Sequence, residues 1–321
     1  MDNFKHIPVL LEESIEGLNI KPDGIYVDCT MGGAGHSSEI LKRLNENGML
    51  YCFDQDEYAI NKGNERLKKI GSNYKIIKSN FLYIKQELKK LNVERVDGIL
   101  YDLGVSSFQF DIKERGFSYN MEGDLDMRMD TSQELKAYDI VNYYNFEDLK
   151  NIFIKYGEEK FSGLIAKKIV QERSKKEIKT TTELVEIILS AVPSYVRRSG
   201  KHPAKKIFQA LRIAVNDELQ VFEKSLTDAL DILKVGGRIA VITFHSLEDR
   251  ICKNIFKSKV EVNIPAGIPI LEKDIKRTFR LINNKVIIAS EEELEKNNRS
   301  HSAKLRIIER IEEGESSYGK F

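Results

Sequence analysis

Three cysteines, Cys29, Cys52 and Cys252, are too few and too scattered for a disulfide framework or a metal cage. An odd count with no metal-ligand spacing leaves buried thiols in a reducing cytosol as the expectation. Net charge is also missing, since 51 Lys and Arg stand against 50 Asp and Glu. That balance excludes a global basic field, so any nucleic-acid contact must come from local patches. No apolar run is long enough to cross a bilayer. The opening MDNFKHIPVL carries no signal-peptide pattern. Internal repeats and low-complexity stretches are absent as well. The expectation is a cytoplasmic protein with no membrane partner and no metal.

What is present is organised around Ile25 to Asp54, IYVDCTMGGAGHSSEILKRLNENGMLYCFD. An apolar run ends in Asp28, a Gly32-Gly33-Ala34-Gly35 turn follows, and Ile40, Leu41 and Leu44 recur at helical spacing. A second apolar run, Met49 to Phe53, ends in Asp54. Strand, glycine loop, helix, strand and acid make the first half of a nucleotide-binding unit. Asp54, about twenty residues past the loop, sits where an acid accepts ribose hydroxyls. A dinucleotide fingerprint would need a third glycine, and Ser38 stands there. That disfavours a nicotinamide dehydrogenase. An acid followed by clustered glycines resembles instead the S-adenosylmethionine loop of class I methyltransferases. Asp28 either meets a ligand or ties the loop down.

Alternation continues through a helix at 57–67, a strand at 74–78, a helix at 82–91 and a strand at 96–101 ending in Asp102. Such βα repetition predicts a parallel, doubly wound sheet with binding residues at the strand C-termini. The pattern then breaks. Residues 103–130 read as one long loop, ordered by its aromatics and methionines, and helical patterns follow at 138–156, 158–174 and 181–192. This is a helical insertion of roughly ninety residues, near the lower size limit for a domain. From Pro203, apolar residues from Ile207 to Leu233 recur at helical spacing over one long segment. Gly236-Gly237 would end it, Arg238 to Phe244 would form the fifth strand, and Pro265 to Pro269 a loop. Two β-rich runs, near 276–289 and 304–311, would finish the sheet.

Eight motifs come in order: HIPVLLEE from His6, DCTMGGAGHS from Asp28, FDQD from Phe53, DLGVSSFQ from Asp102, ERGFS from Glu114, LDMRMD from Leu125, HPAKKIFQALRIAVNDEL from His202 and FHSLEDR from Phe244. Together they resemble the bacterial family of small-subunit (16S) ribosomal RNA cytosine-N4 methyltransferases, also called MraW. The resemblance runs from His6 to Arg310. It implies a class I S-adenosylmethionine methyltransferase fold, with residues 1–105 and 203–321 as the methyltransferase domain. Residues 106–202 would then be a loop plus helical insertion for RNA recognition. It further implies methyl transfer from S-adenosyl-L-methionine to the N4 amine of a cytidine in the decoding region of 16S ribosomal RNA, within the small ribosomal subunit. A homodimer stays open.

The same resemblance implies cofactor contacts at Ala34, Gly35 and His36 for the methionine end, Asp54 for the ribose, Phe81 near the adenine, and Asp102 and Gln109 beyond. Ala34 stands where the family often has Arg or Gly. Asn298 and His301, within NNRSHSAKLR, depart from an Arg-Ala-Arg-Ser-like run.

In-line displacement at a sulfonium carbon depends mostly on positioning. An acceptor on the amine N–H groups favours the developing positive charge. Amine methyltransferases of this class place that acceptor after the fourth strand, here Asp102. Asp102 serves the cofactor, the cytosine amine, or both. Asp126, Arg128 and Asp130 are either base-pocket groups or an ion-pair clasp. His245 is a second catalytic candidate, beside a capping box read from Ser246 to Asp249. For RNA, YVRRSGKHPAKKIFQALR gathers Arg197, Arg198, Lys201, Lys205, Lys206 and Arg212 without one acid. Competing readings are a methyltransferase acting on another nucleic-acid amine and a non-catalytic ribosome-assembly factor.

Overall fold

The computed structural model describes residues 8–198, 202–262, 275–314 and 317–318. Lys201 and the Pro265–Pro269 segment lie outside them. Contacts divide the chain into two compact units, Met1–Gly104 with Leu219–Phe321, and Val105–Glu218.

The first unit opens with helix α1, Leu11–Leu18, followed by β1 (Ile25–Asp28), α2 (Gly35–Arg43), β2 (Met49–Asp54), α3 (Glu57–Leu67), β3 (Tyr74–Lys78), α4 (Ile84–Lys90) and β4 (Val96–Asp102). After the second unit come α12 and β5 (Leu233–Thr243), α13 (Ser246–Val260), β6 (Ile275–Lys276), β7 (Phe279–Leu281), α14 (Glu291–Lys296), β8 (Lys304–Arg310) and β9 (Ser317–Tyr318), where α12 is Glu218–Asp231. Seven strands form one sheet in the order β3-β2-β1-β4-β5-β8-β7, and β6 pairs with β9. The pairs from β3 through β5 are parallel, while β8 is antiparallel to both its neighbours. Sequence order reverses at β1, since β2 lies on one side of it and β4 on the other. Crevices at such a reversal, outside the strand C-termini, are where doubly wound sheets bind ligands. Asp28 and Asp102 end the two strands that flank it.

Strand alternation decides the layers. Val27, Phe53, Ile99, Tyr101 and Val241 join one core, with Ile84, Phe222 and Phe256 from α4, α12 and α13. Their neighbours Tyr26, Cys52, Leu100 and Ile242 join the other, with Ile15 and Ile40 from α1 and α2. All three cysteines are buried free thiols.

Two expectations for this unit need correction. The strand begins at Leu233, ahead of Gly236-Gly237. Val96 pairs with Leu233 and Gly98 with Arg238, so the glycines form a bulge inside β5, where Gly236 takes φ +77°. In the late β-rich run Phe279–Leu281 joins the main sheet, Ile275–Lys276 pairs with β9 instead, and Ile287 contributes an isolated bridge to Leu305.

The second unit holds α5 (Ser107–Asp111), α6 (Ala137–Tyr143), α7 (Phe146–Lys155), α8 (Ser162–Arg173), α9 (Thr181–Ala191), α10 (Ser194–Arg197) and α11 (Ala204–Asn216). Its core joins Phe117, Leu125 and Met127 to Ile140, Phe153, Ile169, Leu184, Ile207 and Leu211. Because the buried face of α11 completes this core, the return to the first unit falls at Leu219 and not at residue 203. The single long helix expected after Pro203 is two helices. Asp217, at φ +47°, breaks it between α11 and α12. Thr180 and Glu183 form a capping box that starts α9.

Candidate active site

The glycine loop is held from beneath. Asp28 is 1% exposed, its Oδ2 accepting from Ser37 Oγ at 2.6 Å and its Oδ1 from Thr30 N at 3.0 Å. Burial pushes its carboxyl up, and the bonds from Ser37 and Thr30 oppose that. Asp28 therefore ties the loop down. Both its oxygens serve the loop, as the tie-down alternative expects. Ala34 turns the loop into α2 with φ +57°, the left-handed region where a side chain costs about 1 kcal/mol more than glycine.

Asp54, at the end of β2, ties the glycine loop to the turn that precedes α3. Oδ2 accepts from Gly32 N at 2.8 Å and Oδ1 from Asp56 N at 2.8 Å. Burial pushes its carboxyl up to about 6, against the two backbone bonds. Each oxygen keeps a second lone pair for a hydroxyl donor. Phe81 starts a short 3-10 turn after β3, half-buried, with its ring edge-on to Tyr101 at 5.6 Å. Ser225 Oγ, 2.8 Å from both Tyr101 Oη and the Phe81 carbonyl, fixes that ring pair from α12.

Asp102 ends β4. Its backbone N–H donates to Thr30 Oγ1 at 2.7 Å, fastening it to the glycine loop. Oδ2 lies 3.5 Å from His36 Nδ1, and the other His36 nitrogen lies 3.0 Å from the Val9 carbonyl. Among the described residues, Oδ1 is a buried carboxylate oxygen with no hydrogen-bond partner. Burial, then the Asp28 and Glu248 charges, push the Asp102 carboxyl well above the carboxylate range, with Arg299 opposing. The structure thus gathers Ala34, Gly35, His36, Asp54, Phe81 and Asp102 in the first unit. The bonds from Thr30, Ser37 and Ser225 were missed in the sequence. Only the density of hydroxyls around the loop hints at the first two.

Other sequence candidates turn out to be occupied. Gln109 belongs to the second unit, where its Oε1 accepts from Ser106 N at 3.1 Å and closes its own turn. Arg128 grips Asp126 through two bonds of 2.8 and 2.7 Å and donates to the carbonyls of Thr131 and Gln133. Burial would raise the Asp126 carboxyl, yet the bonds from Arg128 outweigh it and hold it below its ordinary value. This is the clasp reading. Asn216 braces it by accepting from Met129 N at 2.8 Å and donating to the Met127 carbonyl at 2.8 Å. Asp130 accepts from Ser132. Arg128→Ala is expected to cost about 2–4 kcal/mol of stability, because Asp126 is left part-buried without its partner. An unchanged unfolding midpoint in denaturant would return the pair to the base-pocket reading.

The capping box of α13 sits one residue earlier than its spacing suggested. His245 is the cap, its Nδ1 accepting from Glu248 N at 3.4 Å, and Glu248 Oε2 accepts from Phe244 N at 2.8 Å. Glu248 has the length to reach back where Asp249 does not. Asp249 instead pairs with Lys304 and Arg306. Of the basic run, Arg197, Arg198 and Lys205 are exposed. Arg212 is bound twice by Glu218, at 2.8 and 2.9 Å, and Lys206 donates to the Glu158 carbonyl.

Residues 3–311 match the family described as the MraW methylase family. The chain belongs to that family. Solved structures similar to it include a Clostridium thermocellum protein provisionally described as an rRNA-methylase, 13% identical over 95% of this chain and 99% of that one, with a TM-score of 0.43. TrmN from Thermus thermophilus is 12% identical over 94% and 48%, TM-score 0.41. An O-methyltransferase from Thermotoga maritima is 8% identical over 98% and 70%, TM-score 0.42.

As a member of the MraW methylase family the chain is an S-adenosylmethionine-dependent methyltransferase with the class I fold. Its residues fit that cofactor. Ribose hydroxyls and an ammonium are donors, and the crevice offers the Asp54 carboxylate and the orphaned Asp102 Oδ1 as acceptors.

Proposed function

We propose that this chain methylates the exocyclic N4 amine of a cytidine in the decoding region of 16S ribosomal RNA, within the small ribosomal subunit in the cytoplasm. The observation that carries the reading is Asp102 Oδ1, a buried acceptor without a partner at the end of β4. LDMRMD and FHSLEDR favour the cytosine-N4 substrate through the resemblance they carry.

Bound S-adenosylmethionine supplies an electrophilic methyl group on a sulfonium. The chain supplies position. Asp54 accepts from the ribose, Phe81 offers an apolar face to the base, and the N-terminus of α2 presents backbone N–H groups to the methionine carboxylate. Asp102 accepts from an N–H group and stabilises positive charge developing on the amine. Nucleoside mass spectrometry of ribosomal RNA from cells with and without this protein tests the assignment. Loss of N4-methylated cytidine is expected, and an unchanged nucleoside profile would overturn it.

We assign RNA recognition to Val105–Glu218, on the exposed Arg197, Arg198 and Lys205. Reversing these three charges should flatten the slope of log affinity against log salt by about 2 to 3, since each phosphate contact contributes about 0.7–0.9. Cofactor affinity should stay unchanged. Equal slopes for variant and wild type would make the patch ordinary surface.

A further inference from the structure

His36 turns both ring nitrogens towards oxygen. Nε2 is 3.0 Å from the Val9 carbonyl and Nδ1 is 3.5 Å from Asp102 Oδ2, with the residue 5% exposed. A carbonyl has no proton to give, so Nε2 carries one. In a neutral imidazole Nδ1 then holds a bare lone pair. Facing an ionised carboxylate, that lone pair would set acceptor against acceptor beside a buried ring, where such conflicts are costly. One proton between Nδ1 and Oδ2 removes the conflict, whether it sits on the ring or on the acid.

The neighbouring charges favour keeping that proton. Burial of Asp102 acts first in that direction, then the carboxylates of Asp28 and Glu248, with Arg299 opposing them. Two acids against one guanidinium hold a proton in the cluster. The Thr30 hydroxyl accepts from the Asp102 backbone N–H, and the carboxyl sets Oδ2 beside His36 with Oδ1 left over.

We infer that His36 is a positioning residue which shares a single proton with Asp102 and thereby presents Oδ1 as the acceptor for an N–H donor. This deepens the proposed function and rests on its placement of Asp102 at the reacting site. The donor is either the ammonium of the cofactor or the exocyclic amine of the substrate. Both are N–H groups seeking a carboxylate.

Two measurements test it. The first is nitrogen-15 and carbon-13 NMR of His36 and the Asp102 carboxyl in the cofactor-free protein across the neutral pH range. His36 and Asp102 should titrate as a pair, and Asp102→Asn should leave His36 neutral throughout. An ionised Asp102 beside a His36 whose Nδ1 is bare at neutral pH would overturn the inference. This readout needs no cofactor, so it stays decisive even if the methyltransferase reading fails. Lack of S-adenosylmethionine binding by the wild type would count against that reading alone.

The second is His36→Gln, whose amide can still donate to the Val9 carbonyl but offers nothing to Asp102. Its melting temperature is recorded alongside. If the donor is the ammonium, affinity for S-adenosylmethionine should fall roughly ten-fold. Affinity for methylthioadenosine, which has no ammonium, should then be unchanged. If the donor is the amine, cofactor affinity should hold and the single-turnover rate should fall by a similar factor, with its pH profile displaced. Unchanged affinity, rate and pH profile in a folded variant would remove His36 from the site.

Discussion

Asp102→Asn should bind S-adenosylmethionine within about ten-fold of the wild type, yet transfer methyl groups ten- to a hundred-fold more slowly at saturation, the loss of about 1.5–3 kcal/mol that a charge-assisted bond represents. The asymmetry follows from the geometry. Asn keeps the shape of the side chain, and its amide N–H can face His36 Nδ1, so the ground state is little disturbed. What disappears is the charge that Oδ1 gains when the carboxyl gives up its proton, which matters most when the amine turns positive. Stability should change too. The Asp102 carboxyl is raised in the fold, so the folded chain holds a proton that the unfolded chain has lost. Its contribution to stability is complete at low pH and falls away as pH rises through the raised value. Asn abolishes this loss, and the melting temperature of the variant should depend less on pH. Single-turnover kinetics on ribosomal particles checks the rate. A wild-type rate with weakened cofactor binding would leave Asp102 as a binding residue alone.

Asp54→Ala carries the other large effect, a fall in cofactor affinity of roughly ten- to a hundred-fold. Both its oxygens serve backbone N–H groups, of Gly32 and Asp56, so the variant loses the ribose acceptor and slackens the glycine loop at once. The carboxyl is pushed up to about 6 in the cofactor-free protein. Ribose hydroxyls prefer the ionised acid, so wild-type affinity should climb with pH, by at most about ten-fold per unit, and level off above that value. The variant should lack this limb. The effect on the bare fold has the opposite sign, because stability drops as pH rises from the ordinary carboxylate range through about 6. Calorimetric titration from acid to neutral pH reads the affinity limb. A flat wild-type profile would take Asp54 out of the binding equilibrium.

Much of the sheet was legible because β1 and β2 end in an acid after an unbroken apolar run and β4 ends in one after Ile99-Leu100-Tyr101. Asp54 and Asp102 could be placed at strand ends from that pattern alone. The bulge at Gly236-Gly237 was not, since two glycines read equally as a stop or as a kink until the partner strand is known. Asp217 hid the break between α11 and α12 because Asp carries no signal for left-handed backbone as strong as glycine does. Side-chain partners were the least legible. Arg212 looked like a free cation in an acid-free run, and Glu218 lies just beyond the run. Nothing in the spacing said that Ser37 and Thr30 would bond the two Asp28 oxygens. Spacing gives residue types, and only register and packing say which of them are already spoken for.

β4 and β5 are hydrogen-bonded neighbours, yet all of Val105–Glu218 is threaded between them. A ribosome adding about 5–20 residues each second therefore makes β4 on the order of ten seconds before its partner emerges. During that delay one edge of an apolar strand, VDGILYD, has nothing to pair with, and an open edge is a template for wrong pairing. The inserted unit closes its own core from contiguous sequence and does not have to wait. Assembly is thus ordered by synthesis: helices first, central sheet last. Slow, concentration-sensitive refolding from denaturant is the cost of carrying one unit inside another.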